Sequence, residues 1–336
     1  MEIQQYIDKI KSIQDKLMEF IDNSDNESES FDNFKHLLES KNIISDKHDL
    51  KLFLYLLSSI TNNYKRGPNF FQKIESILSF YKNQIQSYFT NSEIYQIFKM
   101  NNRNLLSLIN VGILNLSDVN DNEYFTSENK EKCEKGENDL LLCELIRNDS
   151  VEQFIQYVNQ TIYPLSSRID ESIYETNTFL YNKCPTVIEY SAFFGSIKIF
   201  NYLKMNNVQL TPSLWIYAIH SNNPDLIHIL EQSKIVPEDK TYKKCLEEAI
   251  KCHHNAIANY IYDNLLKNQD ENFCLSKAVK YYNFEFISNN KNQLIFKNVC
   301  KYDYFNLVQL LLQKMDFDVN QYYIKILRYF GFLMKF

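Results

Sequence analysis

The chain has 336 residues, 36 basic against 42 acidic side chains, a formal net charge of −6 and only 5 Gly beside 24 Tyr and 24 Phe. No two glycines are neighbours, whereas phosphate-cradling loops need them clustered so that backbone can approach the ligand; a dinucleotide fingerprint and a Walker A loop are therefore excluded. All-β folds built on glycine turns are disfavoured, and the acidic balance argues against a nucleic-acid partner.

Residues Ile3, Tyr6, Ile7, Ile10, Ile13, Leu17, Phe20 and Ile21 recur at helical spacing and predict an amphipathic helix at the start. That segment lacks the apolar run of a signal peptide. The most apolar stretches, 50–60 and 322–336, are too short and too charged to span a bilayer. A cytoplasmic location with no membrane partner is the expectation, and the 7 Cys are then reduced thiols. Further helices are expected at about 31–39, 46–62 and 68–89, with Gly67-Pro68 as a stop and restart. The charged run 121–138 reads as an exposed loop, and no long strand pattern is present.

From residue 91 onward short apolar blocks come in pairs. The clearest unit runs from Pro185 to Leu203: a block ending in Ser191-Ala192, then Phe193-Phe194-Gly195, then a second block with Ile199, Phe200 and Leu203. Physically this is a helix, a tight left-handed turn and an antiparallel helix, with small residues permitting close approach. Aligning Ser191 with Ala218, Ala249, Ala278 and Val299 gives steps of 27, 31, 29 and 21 residues, mostly near a known helical-repeat period. Second-helix positions agree at Leu226-Ile227, Ile257-Ala258, Phe286-Ile287 and Leu307-Val308, with weaker copies at Leu145-Ile146 and Ile97-Phe98. The turn column reads Asn101, Asp149, Gly195, Asn222, His253, Tyr282 and Asp303. Asn, Asp and His are the non-Gly residues that best tolerate a left-handed backbone; Tyr282 fits that account least well.

The block 186–203 resembles the ankyrin repeat, whose pattern runs Thr-Pro-Leu-His-x-Ala-Ala-x-x-Gly-His-x-x-Ile-Val-x-x-Leu-Leu. More closely, Tyr190–Ser196 and 214–230 are similar to a protist-expanded family of divergent ankyrin proteins that carry a domain of unknown function. The resemblance implies an all-α chain. An N-terminal helical region (1–90) would precede a helical solenoid of ankyrin-like helix-turn-helix repeats (91–321) and an apolar tail or truncated repeat (322–336).

The register assigns most reactive side chains to structural columns. Cys245, Cys274 and Cys300 fall in buried columns, where a free Cys behaves as a small apolar residue, and Trp215 falls in a core column. Cys252-His253-His254 comes nearest to a metal-ligand spacing, but adjacent residues at a helix end diverge, so these His read as structural. The pairs Glu247-Glu248 and Asp316/Asp318 read as solvated. No His-Glu-x-x-His or Gly-x-Ser-x-Gly motif is present, so no enzymatic activity, cofactor, metal or small-molecule substrate is expected.

One constellation remains. The position after the small pair reads Lys99, Arg147, Phe193, His220, Lys251, Lys280 and Lys301, and the next reads Met100, Asn148, Phe194, Ser221, Cys252, Tyr281 and Tyr302. Equivalent positions stack in a solenoid. A stripe of Arg147, Phe193, Phe194, His220, Lys251, Lys280, Tyr281, Lys301 and Tyr302 is then expected to contact a protein partner with an acidic surface. The bland account is that Lys at a helix C-terminus complements the macrodipole. The resulting expectation is a non-catalytic protein–protein interaction scaffold or adaptor. Its alternatives are self-assembly through 322–336 and an enzyme within 1–90.

Overall fold

Every regular element that the computed structural model describes is helical, and it describes residues 2–23, 27–119, 123–287 and 292–314. The first helices are α1 (Ile3–Asp22), α2 (Glu27–Ser40), α3 (Lys47–Asn63), α4 (Phe70–Phe80), α5 (Lys82–Tyr88), α6 (Asn91–Phe98) and α7 (Asn102–Asn110). Two short ones follow, α8 (Glu123–Thr126) and α9 (Lys130–Lys135). Then come α10 (Leu141–Arg147), α11 (Val151–Thr161), α12 (Val187–Phe194), α13 (Ile197–Met205), α14 (Leu214–Ser221), α15 (Pro224–Gln232), α16 (Lys243–Lys251) and α17 (Asn255–Tyr260). The last are α18 (Glu271–Tyr281), α19 (Asn292–Val299) and α20 (Phe305–Lys314). Among the described residues the only extended pairing is an isolated antiparallel bridge between Arg168 and Thr186.

The chain divides into two compact units, 1–57 with 270–336, and 58–269. The boundary expected at 90/91 thus falls inside the second unit, and the stretch 270–314 groups with residues 1–57 rather than with 58–269. The apolar tail expected at 322–336 lies outside the described residues, as do Asp316 and Asp318.

In the first unit all eight apolar residues expected on the inner face of α1 are buried, each contributing roughly 1.5–3 kcal/mol. The helix packs against α2, α20 and the turn Phe284–Phe286. Gln14 lies on the same buried face, and its Oε1 accepts the Phe284 N–H at 2.7 Å, so a polar side chain there satisfies backbone that is otherwise sealed. Buried Asp49 accepts from Tyr6 Oη and Lys9 Nζ, both at 2.6 Å, and from Asn306 Nδ2 at 2.7 Å.

In the second unit, the helix expected over 68–89 is broken at Tyr81, which leaves helical geometry (φ −99°, ψ 12°) and buries its ring. The exposed loop expected at 121–138 is corrected by its described part, 123–138, which carries α8 and α9. Tyr124 and Cys133 are buried there; the Tyr124 hydroxyl donates to the Cys133 carbonyl, and the Cys133 thiol returns a bond to the Tyr124 carbonyl at 3.1 Å. Two buried side chains hold the segment down while Glu128, Lys130, Glu131, Glu134 and Lys135 are exposed, a pattern too sparse to register as periodicity.

Helix pairs dominate the rest of this unit: α10 with α11, α12 with α13, α14 with α15 and α16 with α17. The first helices lie side by side, α10 on α12, α12 on α14 and α14 on α16. Ala192, Ala218 and Ala249 are buried in α12, α14 and α16. Helix α12 starts on a capping box: Thr186 Oγ1 accepts the Glu189 N–H at 3.4 Å, and Glu189 Oε2 accepts the Thr186 N–H at 2.8 Å.

The pairs close as the register predicts. Asp149, Gly195, Asn222 and His253 have φ of 47°, 73°, 53° and 57°, and in the first unit Tyr282 and Asp303 have 57° and 62°. After Asp149, Gly195 and His253 the next N–H reaches back five residues, Ser150 to Leu145 O at 3.0 Å, Ser196 to Ser191 O at 2.9 Å and His254 to Ala249 O at 3.0 Å, whereas after Asn222 the Asn223 N–H goes to Ser221 Oγ at 3.1 Å. The five-residue reach is the 6→1 bond of the Schellman motif, which satisfies the last helical carbonyls. Asn101 is the exception: its φ is −145°, and it serves as the N-cap of α7 by accepting from the Arg103 N–H at 2.9 Å.

Candidate functional site

The C-terminal ends of α10, α12 and α14 border a cavity of about 380 Å³ in the second unit. Arg147, Phe193, Phe194 and His220 line it, so four of the expected contact residues meet there. The opposite wall comes from the segment Asn63–Pro68 and from Glu137, Glu175 and Asn177.

Its polar groups are largely held by internal partners. Arg147 Nε pairs with Glu137 Oε2 at 2.8 Å, and the same guanidinium donates to Asn138 O at 2.8 Å and to the Tyr190 hydroxyl at 2.9 Å. Arg66 donates to Gly136 O at 2.8 Å and Thr176 Oγ1 at 3.1 Å, while its buried Nε has no partner. Glu175 accepts the Asn177 N–H at 2.8 Å. Burial raises the Glu175 carboxyl to about 6, and the Arg66 charge only partly offsets that. Lys65 is an exposed cation on the rim. Phe193 stacks on Phe179 with ring centres 5.8 Å apart, whereas Phe194 is half-buried and meets Phe193 edge-on at 5.0 Å.

Behind His220 lies a second polar cluster. His220 Nε2 and Glu248 Oε1 are 2.8 Å apart, Lys251 Nζ donates to the same oxygen at 2.9 Å, and Cys252 Sγ lies 3.4 Å from His220 Nδ1. Burial alone would push the Glu248 carboxyl up, but the hydrogen bonds and charges of His220 and Lys251 outweigh it and hold the group at about 2. Burial pushes His220 down against the pull of Glu248. Burial also raises the Cys252 thiol well above its usual range. The residue types of a catalytic triad meet here, but Cys252 Sγ is 3.4 Å from Nδ1 and 3.9 Å from Nε2 and so is in line with neither nitrogen. The sulfur is also fully buried and held as the thiol, whereas the thiolate is the reactive form.

Lys251 is therefore an ion-pair partner of Glu248, and the expectation of Glu248 as a solvated carboxylate is corrected: its side chain is only 15% exposed. Phe193 and His220 are buried rather than presented to solvent. The other stripe residues belong to the first unit. There Lys280 is exposed, with Nζ 2.8 Å from the Tyr281 hydroxyl, and Lys301 lies 5.2 Å over the Tyr302 ring. Cys245, Cys274 and Trp215 are buried as expected, Trp215 donating to Ile235 O at 2.8 Å, and Cys300 is half-buried.

Sequence reasoning missed Lys65, Arg66, Glu137 and Glu175, which reach the cavity from loops that carry no repeat register. It also missed the meeting of His220 with Cys252. The register holds that signal, because the two occupy adjacent columns of successive helix pairs.

Comparison with protein-family models, with curated proteins and with solved structures finds no match to this chain. Among the described residues no helix is long and apolar enough to cross a membrane.

Proposed function

We propose that the chain is a non-catalytic protein-interaction adaptor, built on divergent ankyrin-like helix pairs, that takes a segment of a protein partner into the cavity beside Phe194. The carrying observation is that Arg147, Phe193, Phe194 and His220 line one cavity at the ends of successive stacked helices. Helix pairs closed by left-handed turns in register support the repeat reading, and stacked repeats characteristically present extended binding surfaces.

Half-buried Phe194 supplies an apolar anchor, and Lys65, Arg66 and Arg147 supply cations suited to a partner carboxylate. Arg147 is already matched by Glu137 and the Arg66 charge acts on Glu175, so Lys65 carries the charge selectivity. Recognition of this kind needs no reaction at Cys252, and the internal pairing of the wall preorganises it for a rigid docking event.

The test is quantitative affinity purification from extract of the source cells with the wild-type chain and a Phe194→Asp, Lys65→Glu variant matched for helicity by circular dichroism. The proposal expects a defined protein set to be depleted with the variant. Identical sets would overturn it.

A further inference from the structure

We propose that His220, Glu248 and Cys252 form a binding site for a divalent transition-metal cation of the zinc class. One donor atom from each lies within 4.8 Å of the other two. The donors come from neighbouring helix pairs: His220 from the last turn of α14, Glu248 and Cys252 from the end of α16. Glu248 and Cys252 are four residues apart, the spacing that places both on one helix face.

The distances suit a compact ion. Glu248 Oε1 is 2.8 Å from His220 Nε2, and Cys252 Sγ is 3.4 Å from Nδ1 and 3.9 Å from Nε2. Tetrahedral zinc holds sulfur at about 2.3 Å and nitrogen or oxygen at about 2.0–2.1 Å, which separates N from S by roughly 3.6 Å and N from O by roughly 3.3 Å. The Nε2–Oε1 spacing of 2.8 Å and the Nε2–Sγ spacing of 3.9 Å each lie within about 0.5 Å of those values. The donor types select the metal: thiolate with imidazole and carboxylate suits zinc, whereas magnesium and calcium take oxygen ligands.

The competing account is a buried hydrogen-bonded triad and nothing more. Two observations favour a ligand. The sulfur is almost equidistant from the two ring nitrogens, so it is in line with neither, and a good hydrogen bond does not explain its placement. Two residues beyond Cys252, His254 is buried at 2% exposure, with no hydrogen-bond partner at either ring nitrogen. A buried polar group left in that state costs about 1–3 kcal/mol, and His254 lies close in sequence to Glu248 and Cys252 without being one of the three donors. Lys251 donates to Glu248 at 2.9 Å and provides the outer hydrogen bond that ligating carboxylates usually receive. A thiolate and a carboxylate together offset a divalent ion, and Lys251 adds one positive charge beside the carboxylate. His220 also lines the 380 Å³ cavity, which gives an ion a route in.

The test is a titration of the chelator-stripped full chain with Co²⁺ alone, followed by displacement with Zn²⁺. One equivalent of Co²⁺ is expected, with the visible bands of tetrahedral cobalt and a near-ultraviolet thiolate-to-cobalt charge-transfer band, both abolished by Zn²⁺. Cys252→Ser removes the charge-transfer band and Glu248→Gln weakens binding at least ~10-fold, while Cys245→Ser, at a buried thiol outside the cluster, leaves the spectrum intact. Should Cys252→Ser fail to fold by circular dichroism, His220→Gln and Glu248→Gln decide the matter by their affinities. A wild-type chain that retains no Co²⁺ overturns the proposal. So does a charge-transfer band that survives Cys252→Ser, or unchanged affinity in both of the other variants.

Discussion

The Asp149 carboxylate accepts the backbone N–H groups of Ile199 at 3.0 Å and Lys198 at 3.1 Å, so the turn residue of one helix pair caps the second helix of the next. Ser196 adds a reciprocal link, its hydroxyl donating to the Ile146 carbonyl. Asp149 thereby combines two properties, a positive φ and an oxygen aimed at exposed N–H groups of the next helix pair. Asp149→Ala loses both and is expected to destabilise the chain by about 1–2 kcal/mol. Asp149→Asn, which keeps the left-handed preference and one acceptor, should cost less than half as much. Urea unfolding of the three proteins checks the order.

Tyr282 is the least expected residue in the turn column, and its reason is tertiary. Its ring stacks between Tyr55 and Tyr304, with centres 5.3 Å away on each side, and its hydroxyl donates to Tyr302 O at 3.0 Å. Tyr282→Gly relieves roughly 1 kcal/mol of left-handed strain but removes an aromatic side chain worth about 3–5 kcal/mol when truncated from a packed site. The net expectation is a loss of roughly 2–4 kcal/mol, read by chemical denaturation. A stabilised Tyr282→Gly would show that the stack contributes little.

Gly136 ends α9 at φ 64°, and a Cβ there would sit 2.8 Å from Thr176 Oγ1 and 3.0 Å from Arg103 Cγ. Its carbonyl also receives Arg66. Gly136→Ala is expected to cost about 1–3 kcal/mol through strain and overpacking. Gly67→Ala meets nothing within 4 Å and should change the midpoint little. Paired thermal melts distinguish the two.

Glu175 makes stability depend on pH in a defined window. Burial raises its carboxyl from 4.5 to about 6 in the folded chain. Because the folded value lies above the unfolded one, the contribution is fully present below pH 4.5 and is lost as pH rises through about 6. The size is about 2 kcal/mol. Glu175→Gln, which cannot ionise, should flatten that part of the stability profile measured by denaturation between pH 4.5 and 7. An unchanged slope would exclude Glu175 as its source.

These residues also mark how far the fold and the site could be read from the chain. The inner face of α1, the burial of Cys245 and Cys274, and the turns at Asp149, Gly195, Asn222 and His253 follow from local chemistry and spacing, whereas Cys300, expected in a buried column, is half-buried. What escaped reading depends on partners distant in sequence. Glu248 looks solvated until His220, 28 residues away, is packed against it. Arg66 reaches Gly136 across 70 residues and Thr176 across 110. Asn101 has the composition of a left-handed turn residue, yet it caps α7, because an Asn oxygen serves either role and the flanking helices choose. The chain's division into 1–57 with 270–336 and 58–269 is likewise a matter of long-range packing that no local pattern encodes.

The adaptor account is tested most directly by placing a photo-crosslinking amino acid at position 65, on the rim of the cavity, and at position 198 as an exposed control outside its lining. After irradiation in extract of the source cells, the account predicts a discrete adduct from position 65 that is absent from position 198 and is lost when Phe194→Asp is added. No adduct at position 65, or the same adducts at both positions, would contradict it.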